Sequence, residues 1–217
     1  QVLITRQGLE EHSNYHEFCR LLGRLKTNYQ LLELVRVDNY ADWVQRVAEF
    51  TVTSLNSWQW TSSSVYYLLG LWSRLVSSVP YLKGDSPSLL ESFVPKITEA
   101  YITSRLDSVR MCMQDPSIED MLENEEQLQD QFDSLPYLCR FRYEETSAYL
   151  CSLMDPVVAA FAELARGASP GVLAVGGGGS DHAALLEGQL TWLVYIVGAI
   201  VRGKNSFSSA EAQERSD

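Results

Sequence analysis

No lysine or arginine occurs between Arg110 and Arg140. Phosphate recognition needs basic side chains, so this stretch is not a nucleic-acid surface. Only three histidines occur, two of them near the start, which leaves no basis for a Ser/His/Asp catalytic set. The four cysteines, Cys19, Cys112, Cys139 and Cys151, form no Cys-x-x-Cys pair, and no Asn-x-Ser/Thr glycosylation site is present. No secretory leader pattern opens the chain, so reduced, buried thiols in a nucleus-and-cytoplasm setting are expected. The most apolar stretch, 190–201, runs for only 12 uncharged residues. A spanning helix needs about 20, so a buried core helix is expected, without membrane insertion. Strand-and-turn patterning is nearly absent.

What is present is acid, placed on one side of the chain. Residues 1–114 carry 11 basic and 11 acidic side chains and cancel, whereas 115–217 carry 6 basic and 17 acidic and hold the whole net charge of -11. Eight carboxylates fill the base-free gap: Asp115, Glu119, Asp120, Glu123, Glu125, Glu126, Asp130 and Asp133. A field this lopsided favours basic partners and repels nucleic acid. It also describes a solvated helix face, and both readings stay open on the residues alone.

The rest of the chain reads as helix after helix. Asn14 and Glu17 suggest a capping box, followed by Phe18, Leu21, Leu22, Leu25, Tyr29 and Leu32 at spacings of three and four. Asp38 or Asn39 opens a second helix through Trp43, Val47 and Phe50, in which the β-branched run 51–53 is outweighed by the helical period. A third, after Ser62, Ser63 and Ser64, carries Val65, Leu68, Leu69, Trp72, Leu75, Val76 and Val79 and stops at Pro80. Ser86 and Pro87 should start the next helix, with Pro95 breaking or kinking it. The acidic segment should begin as a loop at Asp115 and become helical near Glu119, with Pro136 as a boundary or kink. A helix is expected over 143–166, bent at Pro156, then a glycine-rich connection over 167–181, an apolar helix over 182–203 and a polar tail over 204–217. Helix-pair starts near residues 14, 62, 119 and 182 approximate the period of helix-pair solenoids. The expected fold is therefore an all-α, HEAT/armadillo-like antiparallel helix-pair solenoid, with about three pairs in 1–166 and an incomplete further repeat at 182–203. The first residue is Gln1 rather than Met, and the last helix finds no following partner, so a piece of a longer solenoid is expected.

Three enzyme-like patterns weaken on inspection. Gly198 through Gly203, Lys204 and Asn205 has phosphate-loop spacing, but Asn205 stands where magnesium needs a Ser or Thr hydroxyl. The run Gly176 to Gly179 lacks the third fingerprint glycine, because Asp181 occupies that place. His12, His16 and Cys19 share helical spacing but offer no fourth zinc ligand. No catalytic residue, metal or cofactor is assigned, and the five tryptophans read as core.

Several runs carry a family resemblance: residues 14–35 (NYHEFCRLLGRLKTNYQLLELV), 50–55, 64–81 (SVYYLLGLWSRLVSSVPY), 100–109 and 190–200 (LTWLVYIVGAI). In this order and spacing the chain resembles the middle of the exportin-7 and Ran-binding protein 16 and 17 family, in the importin-β superfamily. The match is thinnest in the acidic segment and over 167–184. The resemblance implies a nuclear transport receptor, not an enzyme, built as a HEAT solenoid. It further implies binding of the small GTPase Ran in its GTP form, of protein cargo and of Phe-Gly nucleoporins, in nucleus, cytoplasm and nuclear pore. Acidic loops in such receptors meet basic patches, so Glu119, Asp120, Glu123, Glu125, Glu126, Asp130 and Asp133 become candidate partner-binding residues. The alternatives are a helical scaffold without Ran dependence, or a nucleotide-binding enzyme through 198–205.

Overall fold

The structure, a computed structural model, describes residues 2–61, 63–82, 87–167 and 177–202. Seven long helices dominate it: α1 (His12–Asn28), α2 (Tyr40–Asn56), α3 (Val65–Ser77), α4 (Val94–Gln114), α5 (Glu125–Phe141), α6 (Tyr143–Gly167) and α7 (Gly177–Arg202). Single helical turns fill several of the joints, and no strand occurs among the described residues.

The helices stack in the order of a two-layer solenoid. α3 packs between α1 and α5, and α5 in turn receives α7. In the other layer α2 packs on α4, and α4 meets α6. α7 closes this end by leaning on α4, α5 and α6 together. One continuous apolar core threads all seven helices. The fold is thus all-α and HEAT-like, each helix burying its stripe only against neighbours.

The centre of that core is α3. Val65, Leu68, Leu69, Leu71, Trp72, Leu75 and Val76 are completely buried, because this helix has partners on more than one side. The Trp72 indole donates to Thr51 Oγ1 at 2.9 Å. Thr51 and Thr53 donate back to the carbonyls of Val47 and Glu49 at 2.8 and 2.9 Å. Those bonds satisfy both hydroxyls within the helix, so the β-branched run leaves no polar side-chain atom unpaired. Where α1 crosses α3, Gly23 lets the backbones approach: a Cβ there would lie 3.2 Å from the Tyr67 carbonyl oxygen. Trp58 and Trp192 are also core, whereas Trp60 stays exposed and packs edge-on against Tyr15 and His12.

Several boundaries differ from the sequence reading. α1 starts at His12, with Glu11 as a cap whose side chain accepts from the Ser13 hydroxyl rather than from a helix amide, so Asn14 lies inside the first turn. A ring nitrogen of His12, Nε2, lies 3.0 Å from the Trp60 carbonyl oxygen, and this tertiary contact draws the helix start forward; Glu17 pairs with Arg20 instead of closing a capping box. Pro95 does not break a helix but sits in the first turn of α4, where a missing N–H costs nothing. Pro136 and Pro156 both lie inside helices, α5 and α6. Helix near Glu119 gives way to a loop, then a 3-10 turn at Met121–Glu123, with α5 starting at Glu125. α7 begins at Gly177, so residues 177–181, expected in the connection, are helical; once a packed helix exists, each added residue gains a backbone bond without a new nucleus. The rest of the connection lies outside the described residues, as do Gly203, the tail 204–217, Ser62 and Ser86.

By length and composition alone, both Tyr143–Arg166 and Asp181–Arg202 could cross a membrane. Trp192, Leu193 and Ile196 of the second of these are completely buried in the core, as expected for 190–201.

Candidate functional site

The acidic segment forms a wall held by local caps. Asp115 ends α4 and accepts from the Ser117 amide at 2.9 Å and its hydroxyl at 2.7 Å, bonds that hold the Asp115 carboxyl below its ordinary range. Asp120 caps the 3-10 turn through the Leu122 amide at 2.9 Å, and Asn124 caps α5 through the Gln127 amide at 3.1 Å. The Cys112 thiol contacts the Glu119 carbonyl oxygen at 4.0 Å, tying the loop back to α4. Glu125 and Glu126 occupy the first turn of α5, where the helix dipole favours carboxylates.

Along α5, Leu128, Phe132, Leu135 and Cys139 face the core, so Glu126, Asp130 and Asp133 stand on the solvent side. Asp120 is half-buried; Glu119, Glu123, Glu125, Glu126, Asp130 and Asp133 are exposed. Asp133 accepts from Gln129 at 2.6 Å. Among the described residues, none of the seven candidates forms an ion pair; the four bridges present are Arg20–Glu17, Arg46–Asp42, Arg142–Glu145 and Arg166–Glu163. The seven thus lie along one segment, 119–133, six exposed and one half-buried, and none in an ion pair. A cleft of about 300 Å³ opens where this wall meets the turn after α2, lined by Trp58, Gln59, Ser117, Ile118, Glu119, Met121, Asn124 and Gln127.

Beneath the wall lies a feature the charge count did not reveal. Arg105, on α4, is 1% exposed. It donates to Gln131 Oε1 at 3.3 Å, contacts Met121 Sδ at 3.3 Å, and lies 4.7 Å from the Tyr101 ring and 5.9 Å from the Trp192 ring. Tyr101 also donates to Gln131 Oε1, at 3.1 Å. Burial lowers the Arg105 pKa, with Tyr101 acting in the opposite direction. This buried cation joins α4, α5 and α7 and touches Met121 within the acidic wall. Its sequence signal was the helical phase: Ile97, Tyr101 and Arg105 recur every four residues on one face.

The other sequence candidates do not assemble. His16 Nδ1 lies 3.0 Å from Ser64 Oγ, His12 turns to Trp60, and Cys19 is fully buried, its thiol pushed up to about 12 by burial. Gly198 sits well inside α7, where backbone amides already serve the helix and cannot cradle phosphate; the rest of that pattern, from Gly203 to Asn205, lies outside the described residues. No disulfide joins the four cysteines; Cys19 and Cys139 are buried and Cys151 is exposed.

Residues 109–217 match the protein family described as Exportin-7-like, TPR domain. Over its full length the chain is 46% identical to Exportin-7-A of Xenopus laevis, 43% to Ran-binding protein 17 of Mus musculus and 40% to Ran-binding protein 16 of Drosophila melanogaster. Each alignment covers 19% of the relative, so the chain spans about a fifth of the length of these curated relatives. No solved structure matches it.

Proposed function

Because the chain belongs to the exportin-7-like family, we propose that it acts as a segment of a nuclear transport receptor that binds Ran in its GTP form and protein cargo. The receptor shuttles between nucleus and cytoplasm through the pore, where Phe-Gly nucleoporins form its path. Its work is reversible binding, and the chain itself catalyses nothing. One observation supports putting the contact here: Glu119, Asp120, Glu123, Glu125, Glu126, Asp130 and Asp133 are exposed or half-buried and, among the described residues, none of them forms an ion pair. Uncompensated carboxylates on a rigid scaffold attract a basic surface at long range and orient it on arrival.

The test is the association rate of the receptor polypeptide with Ran and with basic cargo, measured by stopped flow. Changing Glu123, Glu125 and Glu126 to Gln should slow association with Ran-GTP or cargo by about 3- to 10-fold at low salt. The difference should shrink at physiological salt, where the Debye length is about 8 Å. An unchanged rate at low ionic strength would remove the acidic wall from the contact. Equal binding of Ran loaded with GTP or GDP would favour a scaffold without Ran dependence.

A further inference from the structure

A serine followed three positions later by Asp or Glu occurs at Ser88, Ser104, Ser117, Ser152 and Ser208. Charge complementarity makes that spacing readable by a protein kinase whose substrate groove is basic. The fold separates these serines. Ser88 and Ser104 are 4% and 3% exposed, and their hydroxyls donate to Glu91 Oε2 and the Tyr101 carbonyl at 2.9 and 2.8 Å. Ser152 is exposed but lies inside α6, bonded to the Tyr149 carbonyl at 2.7 Å. A helix turns successive side chains around its axis and offers no extended strand to a groove. Ser208 lies outside the described residues. Among the described serines with this spacing, Ser117 alone is both exposed and outside a helix.

Its surroundings extend the match. Asp115 stands two positions before it, and Glu119, Asp120 and Glu123 stand two, three and six positions after it. The nearest basic side chains along the chain, Arg110 and Arg140, are 7 positions before and 23 after, so nothing in the segment repels a basic groove. Ser117 also lines the cleft of about 300 Å³, which leaves open space beside it. The same hydroxyl closes the turn. It donates to Asp115 Oδ1 at 2.7 Å, next to the Ser117 amide at 2.9 Å. The turn leads to Glu119, whose carbonyl oxygen meets the Cys112 thiol at 4.0 Å.

We propose that Ser117 is a phosphorylation site for an acid-directed serine kinase, and that its phosphate opens the turn between α4 and α5. Ser117 Oγ attacks the γ-phosphorus of ATP. The Oγ–P bond forms as the bond from that phosphorus to the β,γ-bridging oxygen breaks, the hydroxyl proton passes to the base of the kinase, and ADP leaves. The product has no hydroxyl proton to give Asp115. It carries a charge of about −1.5 to −2 at pH 7 instead, beside a carboxylate that is itself ionised. An attractive contact thus becomes a repulsive one, and the turn loses a bond that closes it. The loop moves off α4 and uncovers Cys112. Neither step depends on which partner meets the acidic wall.

The test is to incubate the 217-residue chain with ATP and a purified acid-directed kinase that phosphorylates casein, and to map the phosphate by peptide mass spectrometry. We expect phosphate at Ser117 and none at Ser88, Ser104 or Ser152. Ser117→Ala should remove it and Ser152→Ala should not. Asp120→Asn, which retains an acceptor for the Leu122 amide, should slow the modification by about tenfold. Once Ser117 is phosphorylated, iodoacetamide should reach Cys112 about threefold faster, with the Cys151 rate unchanged. An unmodified Ser117, phosphate on Ser152 in its place, or an undiminished rate in Asp120→Asn overturns the assignment. An unchanged Cys112 rate in the phosphorylated chain overturns the opening of the turn.

Discussion

Replacing Arg105 by methionine should leave the protein as stable as before or stabilise it. Arg105 is buried without an ion pair, and its Nε has no hydrogen-bond acceptor. Removing a cation from water costs several kcal/mol even after the protein relaxes. The orphaned Nε–H adds about 1 to 3 kcal/mol. Opposing this are one charge-assisted hydrogen bond to Gln131, about 1.5 to 3 kcal/mol, a weaker one to the Met121 sulfur, and two ring contacts at about 0.5 to 2 kcal/mol each. The two sides cancel to within a few kcal/mol. Methionine fills much of the same channel and orphans nothing, because Gln131 Oε1 still accepts from the Tyr101 hydroxyl. We therefore expect Arg105→Met to shift stability by between zero and about 2 kcal/mol in the favourable direction. Gln131→Leu is the counter-experiment. It leaves the cation in place and removes the acceptor shared by Arg105 and Tyr101, which should cost about 1 to 3 kcal/mol for each donor left unpaired. Urea unfolding at pH 7, followed by tryptophan fluorescence and far-UV dichroism, reads both as midpoint shifts at constant slope. Loss of more than about 2 kcal/mol in Arg105→Met would show that the guanidinium is a net stabiliser and refute the balance given above.

Further outcomes follow from packing and from burial. Gly188→Ala should destabilise, because its Cβ would meet Val109 Cγ1 at 2.5 Å and overpacking of about 1 to 3 kcal/mol exceeds the helix-propensity gain of about 1; Gly70→Ala, with nothing within 4 Å, should gain about 0.5 to 1 kcal/mol in the same thermal-melt comparison. Iodoacetamide at pH 8 should modify exposed Cys151 first, then Cys112, with Cys19 and Cys139 protected until unfolding. The Cys19 thiol, pushed up to about 12, stays neutral when folded but ionises near 9 once unfolded. Its contribution to stability is thus complete below pH 9 and fades between pH 9 and 12, which thermal melts across that range would show.

Much of the architecture is legible residue by residue. The spacing of Val65, Leu68, Leu69, Trp72, Leu75 and Val76 marks α3 as a core helix, and the structure buries all six completely. The acidic wall is equally readable, because a base-free stretch of carboxylates needs no fold to be noticed. Proline was misread at Pro95 because a proline inside a helix and one at its first turn look alike until the start is known. The cap at Asn14 was misplaced because a contact 48 residues away, from His12 to Trp60, moved the helix start. The Arg105 cluster was not legible at all beyond its helical phase. Its partners, Met121, Gln131 and Trp192, lie 16, 26 and 87 positions away and meet only when α4, α5 and α7 converge.

By itself the sequence determined the helical period, the uneven charge and the family, since these are written in local order and in strings of residues. Only the tertiary structure decided which carboxylates stand free, which cation lies beneath them and which serine is both exposed and outside a helix. Burial is a property of neighbours, and in a solenoid each helix acquires its neighbours from other repeats.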